Sequence, residues 1–251
     1  MNNDNFDQNQ DYDEVTSYDS VGNRRQIFMA TAFSSLMRKV YVWMTLALVV
    51  SGLTALYVSG SEAAMQAIFG NRAGFWILAI AELALVIILS ARIQRMSFAT
   101  AGLMFIAYSI LNGVTLSFIF LAYTRASIAS TFFVTAGTFG AMSLIGYSTK
   151  RNLDGLGRYL LYGLIGLIIA SVVNLFIMSS PFDFVISIIG VVIFVALTAY
   201  DTQKIKQMFL AYGQDVNDST QKLALLGSLT LYLDFINLFL YLLRFFGKSN
   251  D

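Results

Sequence analysis

Between residues 40 and 246 the chain alternates seven apolar runs with short polar breaks, at 40–58, 74–91, 99–122, 128–147, 159–178, 184–200 and 223–246. Each run approaches the roughly 20 residues that a helix needs to cross the hydrocarbon core of a bilayer. A membrane barrel would alternate polar and apolar positions, whereas these runs are apolar on both parities. Turn signals fall between them: Ser59-Gly60, Gly70-Asn71, the stretch from Asn152 to Gly157, the sole proline Pro181, and residues 213–218. Charged residues make up only 12% of the chain, about half of the roughly 25% usual in soluble domains. That is too few to cover the water-exposed surface of a soluble protein this size. The expected fold class is therefore all-α, an integral membrane bundle of seven helices over residues 26–251.

The first 25 residues are of another kind. They are rich in Asn, Asp and Gln and carry Asp4, Asp7, Asp11, Asp13, Glu14 and Asp19. So polar a stretch cannot bury enough apolar surface to offset its ordering entropy, which predicts a disordered acidic tail over 1–25. The order of its residues is not that of a signal peptide, which is basic and then apolar.

Two absences narrow the chemistry. Without His the chain has no Ser-His protease centre, His-ligated haem or His zinc site. Without Cys it has no disulfide, iron–sulfur cluster or thiol nucleophile, and its redox compartment cannot be read. No resident cofactor is expected, and a net charge of +1 gives no indication of nucleic-acid binding.

Lys and Arg divide unevenly between the two faces of such a bundle. One face holds twelve: Arg24, Arg25, Arg38 and Lys39; Arg92 and Arg95; Lys150, Arg151 and Arg158; Lys204, Lys206 and Lys222. The other has four, Arg72, Arg125, Arg244 and Lys248. The positive-inside rule then predicts a cytoplasmic N-terminus and an external C-terminus, which an odd number of spans requires.

Ionisable side chains at a helix centre cost about 2.5–3.5 kcal/mol each by insertion scales, so those present need a reason. Three acids lie in or at the ends of the spans: Glu82, Asp201 and Asp234. Asp234 shares a helix stripe with Thr230, Asn237 and Tyr241, and that stripe must face protein or water. Asp201 closes the sixth run, with Thr198 one turn before it. Asn112 and Asn174 add hydrogen-bonding capacity, most simply as links between helices. Two aspartates on consecutive helices make poor links, because like charges cannot both ionise cheaply when close. They suit a hard-oxygen cation site that also shares protons, so Ca²⁺ and protons should compete for it. Asp201 nevertheless lies near the membrane surface in this reading, with Asp234 about 10 Å deeper. The two meet only if the seventh helix begins below the interface or tilts.

The same residues carry a family resemblance. The run Val195-Ala196-Leu197-Thr198-Ala199-Tyr200-Asp201-Thr202-Gln203-Lys204-Ile205 resembles the sixth-helix signature of the Bax inhibitor family, also called the transmembrane Bax inhibitor motif family. Leu229-Thr230-Leu231-Tyr232-Leu233-Asp234-Phe235-Ile236-Asn237-Leu238-Phe239, continuing to Leu243-Arg244-Phe245-Phe246, resembles its seventh. Ala81-Glu82-Leu83 through Ser90-Ala91-Arg92 resembles the second helix, and Leu111-Asn112-Gly113 the third. The likeness spans roughly residues 38–247 and is closest to the bacterial branch. It implies seven helices with the seventh central, in a bacterial inner membrane, and a pH-sensitive calcium leak sensed by an aspartate pair. That pair maps onto Asp201 and Asp234. An arginine latch near the end of the second helix maps best onto Arg92, beyond Glu82, with Arg95 as the alternative. Nothing transfers to the acidic tail, nor does the cell-death role of eukaryotic members.

The implied partners are the lipid bilayer, Ca²⁺ and protons, and no enzyme is expected. Intramembrane aspartyl proteases do place Tyr-Asp on one helix, as Tyr200-Asp201 does here. Their second Asp follows Gly-x-Gly, however, whereas Asp234 follows Leu231-Tyr232-Leu233, and their Pro-Ala-Leu motif is missing. A proton-coupled small-solute transporter stays open as the alternative, although no internal repeat supports it.

Overall fold

The computed structural model describes residues 34–70, 72–212 and 217–250. The acidic tail anticipated over 1–25 lies outside the described residues. Within them the chain is helical, with α1 at Ser34–Ser59, α2 at Glu62–Phe69, α3 at Arg72–Arg92, a 3₁₀ turn at Ile93–Arg95 and α4 at Phe98–Leu116. Then come α5 at Ile119–Ala122, α6 at Arg125–Ser148, α7 at Asp154–Ile177, α8 at Ser180–Tyr212 and α9 at Asp218–Phe246. Seven spans long and apolar enough to cross a membrane result, with α4 and α5 together forming the third. The expected all-α bundle is what forms.

Local chemistry sets the boundaries. Ser97 and Thr124 cap α4 and α6 by accepting from the backbone N–H three residues on, and Asn217 and Thr220 form a reciprocal capping box at α9. Pro181 sits in the first turn of α8, where its missing N–H has no helical partner to lose. The third span breaks between α4 and α5 at Ser117, whose hydroxyl donates to the Val114 carbonyl at 2.6 Å within the turn.

Two spans differ from the sequence expectation in a way that matters. The sixth run was expected to end at 200, yet α8 continues to Tyr212 and carries Asp201 well inside the helix. The seventh begins at Asp218, five residues before the expected start. Both extensions are polar, with Lys204, Lys206 and Gln207 on α8 and Gln221 and Lys222 on α9, so hydropathy alone stops short of them. They are held by tertiary bonds. Lys206 Nζ donates to the Tyr147 carbonyl at 2.8 Å, and the largely buried Lys222 ammonium reaches the Gln94 and Met96 carbonyls and the Asp218 carboxylate.

Helix α9 is the most enclosed span, with two thirds of its apolar window buried, against 39% at most for any other. It packs against α4, α6 and α8 and touches the 3₁₀ turn. Helices α3 and α7 bury almost nothing and, Glu82 and Asn174 apart, are apolar through their middle turns, as lipid-facing spans are. At the C-terminal face the last residues strap the bundle. Asn250 N donates to the Ala122 carbonyl, Thr124 N to the Lys248 carbonyl, and Lys248 N to the Ser127 hydroxyl.

Candidate functional site: an aspartate pair between α8 and α9

The register of α8 against α9 follows from small residues and aromatic stacking. The two run antiparallel: Phe184 stacks on Phe245, Phe194 on Tyr241, and Ile205 packs on Gly227. Gly190 lies directly under the Tyr241 ring, where any β-carbon would collide with it. On the other flank Gly146 of α6 touches the Ala199 backbone, which brings α6 equally close to α8. Residue numbers rise along α8 as they fall along α9, and this register sets Asp201 opposite Asp234.

The two carboxyl groups lie within hydrogen-bonding reach of each other. Such a contact becomes a bond only when one of them carries a proton. Asp234 is 5% exposed, and its Oδ2 is buried with no donor. Asp201 is only partly buried and lies toward the N-terminal face. Lys204, one turn further along α8, is the cation whose charge acts on Asp201. Sequence reasoning overlooked it, although its i+3 spacing was readable. The depth objection raised by the sequence disappears because both helices extend beyond the apolar runs.

The other sequence-predicted residues divide. Thr198, Thr230 and Asn237 each donate to the carbonyl four residues back on their own helix, at Phe194, Leu226 and Leu233, rather than to either aspartate. Arg92 is exposed at the end of α3 and forms no ion pair among the described residues, and the same holds for Arg95. Neither is brought to Asp201 in this structure. Asn174 donates to Asp183, which also pairs with Arg244 at 3.3 Å near the C-terminal face.

Glu82 and Asn112 belong to a second polar network. The Glu82 carboxylate accepts from Asn112 Nδ2 and, at 2.8 Å, from the Thr115 hydroxyl. Asn112 Oδ1 accepts from the Tyr232 hydroxyl at 2.8 Å, and that hydroxyl meets Ser51 Oγ at 2.6 Å. The chain thus joins α1, α3, α4 and α9, reaching α9 two residues before Asp234. Tyr232 and Ser51 went unread in the sequence because both are common in spans and cheap to bury.

Comparison with known proteins adds the remaining observation. Residues 33–251 match the family described as Inhibitor of apoptosis-promoting Bax1. The chain belongs to the Bax inhibitor family. Its relatives in that family include the inner membrane protein YbhL of Escherichia coli K12, 52% identical over 212 residues, which cover 84% of this chain and 91% of that protein. Protein RP147 of Rickettsia prowazekii is 46% identical over 215 residues, 86% of this chain and 90% of its own. An uncharacterized protein of Borreliella burgdorferi is 44% identical over 233 residues, 93% of this chain and 99% of its own. The family resemblance read from the sixth- and seventh-helix motifs is thereby borne out. This member of the Bax inhibitor family is a multi-pass integral membrane protein.

Proposed function

We propose that this protein is a pH-sensitive calcium leak channel in which Asp201 and Asp234 form the ion-binding and proton-sensing unit. The observation that carries the reading is the buried meeting of these two carboxyls between α8 and α9, with Asp234 Oδ2 lacking a donor. Ionised, the pair offers hard oxygen ligands to Ca²⁺; protonated, it satisfies itself and releases the ion. Two carboxylates fall short of the about 6–8 oxygens that calcium prefers, so water and backbone carbonyls complete a weak site. Weak binding is what conduction needs.

The test is radiocalcium uptake into proteoliposomes of the purified full-length protein over a range of pH. Uptake that changes with pH and is absent for a panel of small solutes is the expected result. Solute uptake without calcium flux would replace the channel with a proton-coupled transporter, and cleavage of a transmembrane peptide would point to a protease.

The membrane assignment follows the relative named an inner membrane protein in Escherichia coli, with the N-terminus in the cytoplasm on the twelve-to-four distribution of basic residues. A reporter fused to the N-terminus should be active only in the cytoplasm and one after Asp251 only outside. Activity of both on one side would mean an even number of spans.

The latch belongs to the same reading. In the closed state Arg92 moves from the end of α3 onto the ionised Asp201 and holds the gate shut. Arg92→Ala removes that counter-charge and biases the two-state equilibrium toward open, so calcium leak should rise several-fold. If instead Arg95→Ala raises it and Arg92→Ala does not, the latch sits three residues further on.

A further inference from the structure

Residues of α1 and α6 toward the N-terminal face line a groove of about 500 Å³. That volume falls within the range of about 300–1,000 Å³ typical of ligand pockets. Its floor is apolar and well packed, formed by the buried Met37, Met44 and Phe139. Leu144 forms an open lip and is 70% exposed. The hydroxyls of the back wall are satisfied among themselves: Tyr41 meets Ser143 at 2.6 Å, and Ser143 meets Thr202 at 3.0 Å.

Arg38 is different. It lines the mouth, is exposed, and among the described residues has neither an acidic partner nor a hydrogen-bond acceptor. A second cation stands beside that mouth, Lys206, whose Nζ lies 5.3 Å from the centre of the Tyr147 ring. Among the described residues no acidic side chain lines the groove.

The polarity is graded along the membrane normal. Arg38 lies within about two turns of the start of α1 as described, at headgroup level, and Met44 lies about 9 Å deeper. A positive mouth above an apolar floor, set between two spans and open on its side, complements a phosphate with an acyl chain beneath it. Basic pockets between transmembrane helices hold anionic lipid headgroups for this reason, and a guanidinium suits phosphate because it donates in a fork. A zwitterionic choline headgroup would bring its own ammonium toward Arg38 and Lys206, which disfavours it.

We infer that the groove between α1 and α6 binds one anionic glycerophospholipid, with its phosphate on Arg38 and one acyl chain over Met44 and Phe139. The proposal does not rest on any reading of what the protein conducts.

Gly140 supplies a clean test, because a β-carbon there meets no atom within 4 Å. A side chain at 140 therefore starts from open space beside the groove, and Leu there should narrow it. Native mass spectrometry of the purified full-length protein would be run with phosphatidylglycerol, phosphatidylcholine and inorganic phosphate as probes. Wild type should retain one phosphatidylglycerol at least about tenfold more tightly than phosphatidylcholine, the size of one lost charge-assisted bond. Arg38→Gln and Gly140→Leu should each weaken it about as much, with Arg38→Lys between them. Equal retention of the two lipids, unchanged binding in Gly140→Leu, or inorganic phosphate binding as tightly as the lipid would overturn the proposal. Because the chain has no cysteine, Leu144→Cys gives a single attachment point for a photocrosslinker. Crosslinks to lipid support the site, whereas crosslinks to residues 1–33 assign the groove to the chain's own N-terminal segment and overturn it.

Discussion

With Asp201 and Asp234 both changed to Asn, calcium binding is expected to lose its dependence on pH, and its affinity to fall by about tenfold or more as two charged ligands disappear. On the proposed reading, protons and Ca²⁺ compete in the wild type for the same carboxylate oxygens, so binding should weaken as pH falls. Neither amide of the double variant titrates, which removes the competition. Each single change should remove most of the dependence, and combining them should add little, because two groups in contact act as one unit. Calorimetric titration of Ca²⁺ into the protein in nanodiscs, repeated from acidic to neutral pH, reads this directly. Full pH sensitivity in the double variant would end the case for the pair.

A large loss of stability is expected from Asn112→Leu. The amide of Asn112 donates to Glu82 while its oxygen accepts from Tyr232, so leucine strips a partner from a half-buried carboxylate and from a buried hydroxyl at once. Glu82 keeps Thr115 and Tyr232 keeps Ser51, so at about 1.5–3 kcal/mol for the bond lost by the carboxylate and about 0.5–1.5 for that lost by the hydroxyl the total is roughly 2–4 kcal/mol. That corresponds to a melting temperature lower by about 5–15 °C for a domain of this size. Tyr232→Phe should cost less, because Ser51 keeps its contacts with the Ala47 and Ser109 carbonyls. The decisive comparison is the double variant Glu82→Leu, Asn112→Leu. Removing both partners leaves the carboxylate nowhere to be orphaned, so the double variant should melt above Asn112→Leu alone. Simple additivity in thermal melts would mean that the network carries no such coupling.

The spans were readable because a bilayer imposes a length and forbids unpaired backbone, so seven apolar runs translate into seven helices. Their ends were not. Lys206 and Lys222 lower the hydropathy of segments that stay helical because their side chains reach the Tyr147 carbonyl and the Gln94 and Met96 carbonyls respectively. Those partners are distant in sequence and invisible to any window. The same omission made Asp201 look like a helix end and set it too far from Asp234. The aspartates themselves stood out because an acid in a span demands an explanation. Tyr232, Ser51 and Thr115 did not, since hydroxyls bury easily and most bond their own helix. That Tyr241 fills the space above Gly190 is a tertiary fact.

The enclosure of α9 bears on how the protein is made. Chains emerge from the ribosome N-terminal end first, and α9 is the last span to emerge. A helix carrying Asp234, Asn237 and Tyr232 is costly to leave facing lipid, whereas α7, with no charged side chain between 159 and 177, can wait in the bilayer without partners. By the time α9 enters, α4, α6 and α8 already offer the walls of its slot and Asn112 the acceptor for its tyrosine. Synthesis order thus shortens the time for which Asp234 can face lipid, and a circular permutant that moved α9 to the front would lose that protection.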